Sequence, residues 1–362
     1  MKNKTKLCVY APTVNKPSGF SYNMGMRNIA KINLNILREN AQKIRKTLPK
    51  NTLFCGVVKA DAYGHGACVC AQALYSICDM FAVALVEEGI ELRLGGIDKE
   101  ILVLVPTEKR DLERAISYGL TISVDNIKSL VDIEKIACAL KKQVKIHIMY
   151  NTGMNRLGVD SIKELKKLLE RVKESGFVEI SGFYSHFGFP EDDKALNQAL
   201  DKFLLANKVV KGYNNSIISH ISASGGFLKG IYLDMVRIGI LLYGYKPFKS
   251  NKIFVKPVMK VYSHTVKTRV LKKGDRCMYG KPKISNKTPI SIVRVGYADG
   301  FFRRKIDGQF NNRCMDLTAL KCKSGHRVCV LKDAEKLAKK YNTISYEILV
   351  RASSRAEKKY IR

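Results

Sequence analysis

The 362-residue chain has no tryptophan and only nine prolines. It has no apolar run close to the roughly 20 residues that span a bilayer. Met1–Tyr10 is lysine-rich but lacks the apolar stretch and small-residue cleavage site of a signal peptide, so a cytoplasmic location with no membrane partner is expected. The ten cysteines are too sparse for a disulfide-stapled scaffold. Only Cys68 and Cys70 stand as C-x-C, and no Cys/His set has zinc spacing, so free thiols and no metal are expected. No G-x-G-x-x-G follows the first apolar run, which weakens a dinucleotide-binding reading and the open doubly wound sheet that would compete with a barrel.

Acidic residues are also scarce. They number 32 against 64 Lys+Arg, a formal charge of +32. Between Phe248 and Arg362 there are 29 basic and 8 acidic residues. The chain shows no basic-aromatic interleaving and no zinc-finger or RNP-like signature. The excess therefore reads as a lysine-rich solvated surface rather than a nucleic-acid interface.

What is present is a 46% hydrophobic composition, enough to bury a large core. After an irregular N-terminal extension (1–26), Ile32–Leu48 has helical periodicity with Asn33 as its cap. Eight short apolar runs follow: Leu53–Lys59, Phe81–Val86, Ile101–Val105, Leu120–Val124, Val144–Tyr150, Val178–Tyr184, Ile217–Ser222 and Val236–Tyr243. They alternate with amphipathic segments such as Val86–Leu94, Lys109–Ser117, Asn126–Leu140, Ile162–Glu174 and Ala195–Lys211. That rhythm predicts an α/β fold, a (β/α)8 TIM-type barrel over 27–245. From about Lys246 the runs become β-branched (Val258–Val270, Pro289–Arg294, Arg327–Leu331), predicting a smaller, mostly β domain over 246–362 with one helix near Asp333–Tyr341.

Barrel active sites gather at strand C-terminal ends. The first run ends at Lys59, in VVKADAYGHG. A desolvated lysine there suits a Schiff base with a carbonyl cofactor, or simply snorkels out of the mouth. The fifth leads to Arg156 in NTGMNRLG, a clamp for a carboxylate or phenolate, or the brace of a tight loop. The sixth ends at His186. The seventh leads to Ser224-Gly225-Gly226, a phosphate nest or a plain turn. The eighth buries Arg237, which then needs an acceptor, a cofactor atom being one candidate.

Five ordered blocks (VVKADAYGHG, NTGMNRLG, SHFG, VRIGILLYG and VGYADG) make the chain resemble the bacterial alanine racemases from about Arg27 to the C-terminus. Those enzymes combine a barrel with a β domain and use pyridoxal 5'-phosphate. The resemblance implies interconversion of L- and D-alanine by a two-base mechanism, supplying D-alanine for peptidoglycan. It makes Lys59 the cofactor-bearing lysine and one base. Tyr63, Ser224, Gly239 and Ile240 hold the phosphate, Arg237 faces the pyridine nitrogen, and His186 packs near the ring and supports Arg237. Tyr279, in Met278-Tyr279-Gly280, is the opposite base, delivered by the second subunit of a homodimer. Tyr297 and Met315 line the substrate pocket across that interface, and Arg156 contacts both the phenolic oxygen and the substrate carboxylate.

There are departures. Met149 stands where the family often has a lysine whose carbamate orients the loop arginine, and Asn151 where aspartate is common. Ser354 is expected where some members carry a phosphate-contacting tyrosine. A racemase for another small amino acid such as serine, a barrel decarboxylase, or a non-catalytic pyridoxal-phosphate-binding protein remain alternatives at this level.

Overall fold

The computed structural model describes residues 28–279, 284–303, 312–321 and 325–362. The extension 1–26 and Gly280 of the Met278-Tyr279-Gly280 block lie outside the described residues. The first element is a strand, β1 (Ile29–Asn33). Asn33 closes it and caps the following helix, Leu34–Thr47, its Oδ1 accepting from Ile36 N at 3.0 Å.

Eight strands then wind into the expected barrel. They are β2 (Leu53–Val57), β3 (Met80–Val83), β4 (Ile101–Val103), β5 (Thr121–Val124), β6 (Val144–Met149), β7 (Val178–Tyr184), β8 (Ile218–His220) and β9 (Met235–Ile238). All pairs are parallel in chain order, and β9 returns to pair with β2. Backbone bonds from Asp234 N to Ser219 O (3.1 Å) and Arg237 N to Ser222 O (2.9 Å) join β9 to the β8 side and close the ring. β3 is buried along its whole length, as a strand covered on both faces must be. Outer helices begin where polar caps predict: Asn126, Ser161 and Asp192 each accept from a first-turn N–H.

The second domain is built on β10 (Met259–Leu271), β11 (Thr288–Val293), β12 (Asn312–Arg313), β13 (Thr318–Leu320), β14 (Arg327–Leu331) and β15 (Glu357–Ile361). Its order is β12-β13-β11-β10-β1-β15, with β14 also on β10. Thus β1, expected among the barrel residues, belongs to this sheet, antiparallel to β10 and parallel to β15. Besides the expected helix, found at Ala334–Tyr341, a second one spans Ser345–Ser353. The main apolar core runs from barrel residues such as Phe54 and Phe183 into Leu331, Tyr341 and Leu349. This joins the two domains firmly. The eight described cysteines are free, four of them buried.

Candidate active site

The barrel mouth encloses a cavity of about 660 Å³. Lys59, Tyr63, Arg156, His186, Ser224, Arg237, Gly239 and Ile240, predicted from five separate stretches of chain, all line it.

Lys59 enters from the end of β2 on an unusual turn. Ala60, Asp61, Ala62 and Tyr63 all have left-handed backbone angles, with φ of 50–54°. Each such residue costs roughly 1–2 kcal/mol. Compensation comes from hydrogen bonds on every side. Ala62 N donates to Val58 O (2.8 Å), Ala60 N to Glu88 Oε1 (2.6 Å) and Ala67 N to Asp61 Oδ1 (2.8 Å). Asp61 Oδ2 also holds Lys358 Nζ of β15 at 2.5 Å. His65 Nδ1 lies 2.9 Å from Ala62 O and 3.0 Å from Tyr63 O; carbonyls only accept, so Nδ1 carries the proton. Burial and Arg156 lower the Lys59 ammonium below its ordinary range, with Glu88 opposing.

The turn sends Tyr63 across to β9. A Cβ at Gly239 would lie 2.3 Å from the Tyr63 hydroxyl, so only glycine lets that hydroxyl in. Beside it Ser224 is buried and its Oγ has no hydrogen-bond partner among the described residues. Tyr346, from the unexpected helix, packs its ring 5.9 Å from Tyr63 and lines the same cavity. This corrects the reading at Ser354, which is exposed at that helix's end and donates to Arg351 O at 2.9 Å. Tyr346, which lines the cavity, lies eight residues before Ser354.

Arg237 projects from β9 into the barrel. Its partners are all neutral: Ser185 O (2.6 Å), Ile221 O (3.4 Å), His186 Nδ1 (3.4 Å) and His220 Nδ1. Its guanidinium lies 5.0 Å above the Tyr184 ring. Burial lowers it to about 10, which leaves it charged at neutrality. Because arginine only donates, His220 Nδ1 must accept, and His220 Nε2 then donates to His147 Nδ1 at 3.0 Å. That leaves His147 Nε2 bearing a proton toward Glu100 Oε1, 3.7 Å away. Glu100 in turn holds Lys145 Nζ (3.1 Å) and Thr121 Oγ1 (3.1 Å) at the barrel floor. Burial and Arg237 keep His220 and His186 neutral, His186 at about 3.

Sequence reasoning missed His147, His220 and Glu100. The two histidines sit in β6 and β8 and point inward; a polar residue inside an apolar run was the available signal.

Arg156 reaches the cavity from an exposed loop. Asn151 organises that loop: its Oδ1 accepts from Gly153 N (3.0 Å) and Asn155 N (3.1 Å), and its Nδ2 donates to Asp160 Oδ1 (2.7 Å). Met149 is buried and lines the cavity. Three expected residues do not reach the cavity of their own chain. Tyr279 is 77% exposed, Met315 54% and Tyr297 38%. Tyr297 and Met315 are side by side, tied by Tyr297 N to Cys314 O (3.1 Å) and Ala298 N to Met315 O (3.0 Å).

These groups fit pyridoxal phosphate on three independent counts. An unpartnered buried serine hydroxyl and an inserted tyrosine hydroxyl await an anion. A desolvated lysine awaits a carbonyl. A buried cation without a carboxylate faces the same cavity. Fold and site together define a barrel enzyme of the pyridoxal-phosphate-dependent class. Residues 32–247 match the family model of the alanine racemase N-terminal domain, and residues 258–360 that of the C-terminal domain. The chain belongs to the alanine racemase family.

Among curated relatives, alanine racemase of Streptococcus pyogenes serotype M2 is 30% identical, covering 92% of this chain and 98% of that protein. Alanine racemase of Staphylococcus epidermidis is 32% identical over 91% and 93%. The solved alanine racemase of Clostridium difficile 630 superposes with a TM-score of 0.85 at 30% identity, covering 93% of this chain and 96% of that one.

Proposed function

We propose that the protein interconverts L- and D-alanine at a site completed by a second copy of the chain. One observation carries this reading: Lys59, Tyr63, Ser224 and Arg237 converge on a single cavity that fits pyridoxal phosphate. When bound, the cofactor supplies the electron sink that makes a proton α to a carboxylate removable.

The chain's own residues do the rest. Lys59 anchors the cofactor, and its Nζ takes or returns the proton on one face of the α-carbon. Its lowered basicity favours the neutral amine that a base requires. Tyr63 and Ser224, with Gly239 and Ile240, hold the phosphate. Arg237 faces the pyridine nitrogen as a donor that does not surrender its proton. His186 packs near the ring as a neutral imidazole. Arg156 binds the phenolic oxygen and the substrate carboxylate. Tyr279 of the partner copy serves the opposite face, with Tyr297 and Met315 bounding the substrate. The exposure of these three residues supports the shared-site homodimer, because large exposed side chains are suited to burial against a second chain. In this reading residues 27–245 hold the cofactor and 246–362 present Tyr279. The product serves peptidoglycan synthesis in the cytoplasm.

Incubating the purified protein and pyridoxal phosphate with either alanine enantiomer, followed by chiral chromatography, tests the proposal. Both enantiomers should reach the same equal mixture. An unchanged enantiomer from either side overturns it.

A further inference from the structure

Glu88 binds backbone on two separate elements. One carboxylate oxygen accepts from Ala60 N at 2.6 Å, the peptide directly after Lys59. The other accepts from Ala84 N at 2.7 Å and Leu85 N at 3.2 Å, just beyond the end of β3. A helix cap needs only the second set, since it satisfies the start of the helix Val86–Leu94. The first set reaches into the left-handed turn. Both oxygens must accept at once, which a carboxylate does and an amide cannot.

The same charge lies in the electrostatic surroundings of Lys59. Arg156 from the loop after β6 and Arg237 from β9 act on that amine from other sides, both disfavouring its protonated form, and Glu88 opposes them. Tyr63 and His186, on the neighbouring walls of the cavity, are neutral.

We propose that Glu88 is a positioning residue for Lys59: its carboxylate locks the left-handed turn against the end of β3 and balances the two guanidiniums acting on the amine. The inference rests on the reading that Lys59 carries the cofactor. The test therefore measures the amine itself, in full-length protein freed of cofactor, by trinitrobenzenesulfonate labelling of the Lys59 peptide across pH.

Glu88→Gln should move the pH of half-reactivity down by about one unit, as expected when a neighbouring opposite charge is lost. It should also weaken binding of added pyridoxal phosphate roughly tenfold, the effect of one lost charged hydrogen bond. Glu87→Gln removes a charge from the same helical turn, where Glu87 pairs with Arg114, and should leave both readouts at parental values. Glu88→Asp keeps the charge and should restore the titration, which a purely structural cap would not do. Identical titrations for Glu88→Gln and Glu87→Gln, or no rescue by Asp, overturn the inference. Should Glu88→Gln fail to fold, Glu88→Asp with parental titration but weakened cofactor binding supports it, and parental values for both overturn it. Borohydride fixation of the cofactor to a different lysine in the parent protein would instead remove the reading beneath it, independently of these titrations.

Discussion

Arg237 is a permanently charged group whose neighbours are uncharged by construction. Burial and the guanidinium itself prevent His220 from accepting a proton, so the His220–His147 hydrogen bond stays neutral and directional. If Lys59 carries the cofactor as proposed, borohydride should fix no cofactor to that peptide in Lys59→Ala, and labelling of any other lysine would contradict its role. For Tyr279, Tyr279→Phe keeps the ring and removes only the hydroxyl. Racemisation should collapse in both directions, while D-alanine still exchanges its α-hydrogen in heavy water through Lys59 and L-alanine exchanges far more slowly. Equal loss for both enantiomers would contradict the two-base arrangement. The strand-end residues were legible because apolar runs announce their own ends. His147 and His220 carried only a weak signal, a polar residue inside an apolar run, which does not say that the side chain reaches Arg237. Tyr346 was hidden because its helix lies in a region read as β.

At the level of elements, close backbone approach decides what the barrel can hold. A Cβ on Gly182 of β7 would lie 2.5 Å from the His147 ring. Gly182→Ala should displace that ring and break its bond to His220, costing about 1–3 kcal/mol of stability through overpacking. Cofactor affinity should fall with it; a parental thermal melt and parental affinity would show that the histidine chain does not support Arg237. The left-handed turn after Lys59 shows what a one-dimensional reading cannot supply. Ala60, Ala62 and Tyr63, which flank Asp61 in this turn, have no local preference for positive φ. Their conformation is imposed by Glu88 from one side and Lys358 of β15 from the other. β1 was likewise invisible, since its partners β10 and β15 are more than 200 residues away.

For the whole molecule, buried neutral histidines set the acid limit of stability. His65 and His186 are lowered by burial to about 4 and about 3, and His147 and His220 are lowered too. A histidine whose folded pKa is depressed takes up its proton only on unfolding. Its contribution is complete above the unfolded value near 6.5 and is lost as pH falls below it. Each such group should cost roughly 1.4 kcal/mol per pH unit over that range. Urea midpoints should therefore drop steeply between pH 7 and pH 5, with proton uptake on unfolding; a flat profile would contradict this burial. The barrel and β domain were legible from alternation and β-branched runs. The core joining them was not, because it depends on contacts between distant elements.

The central claim is a site shared between two chains, with Lys59 from one and Tyr279 from the other. The direct measurement mixes two inactive variants, Lys59→Ala and Tyr279→Phe, after unfolding and refolding them together. In a two-fold symmetric dimer each mixed pair holds one intact site and one doubly defective site. A random mixture should therefore regain roughly a quarter of parental racemisation. Activity no higher than that of the separate variants, in dimers verified as mixed by mass spectrometry, would contradict the shared site.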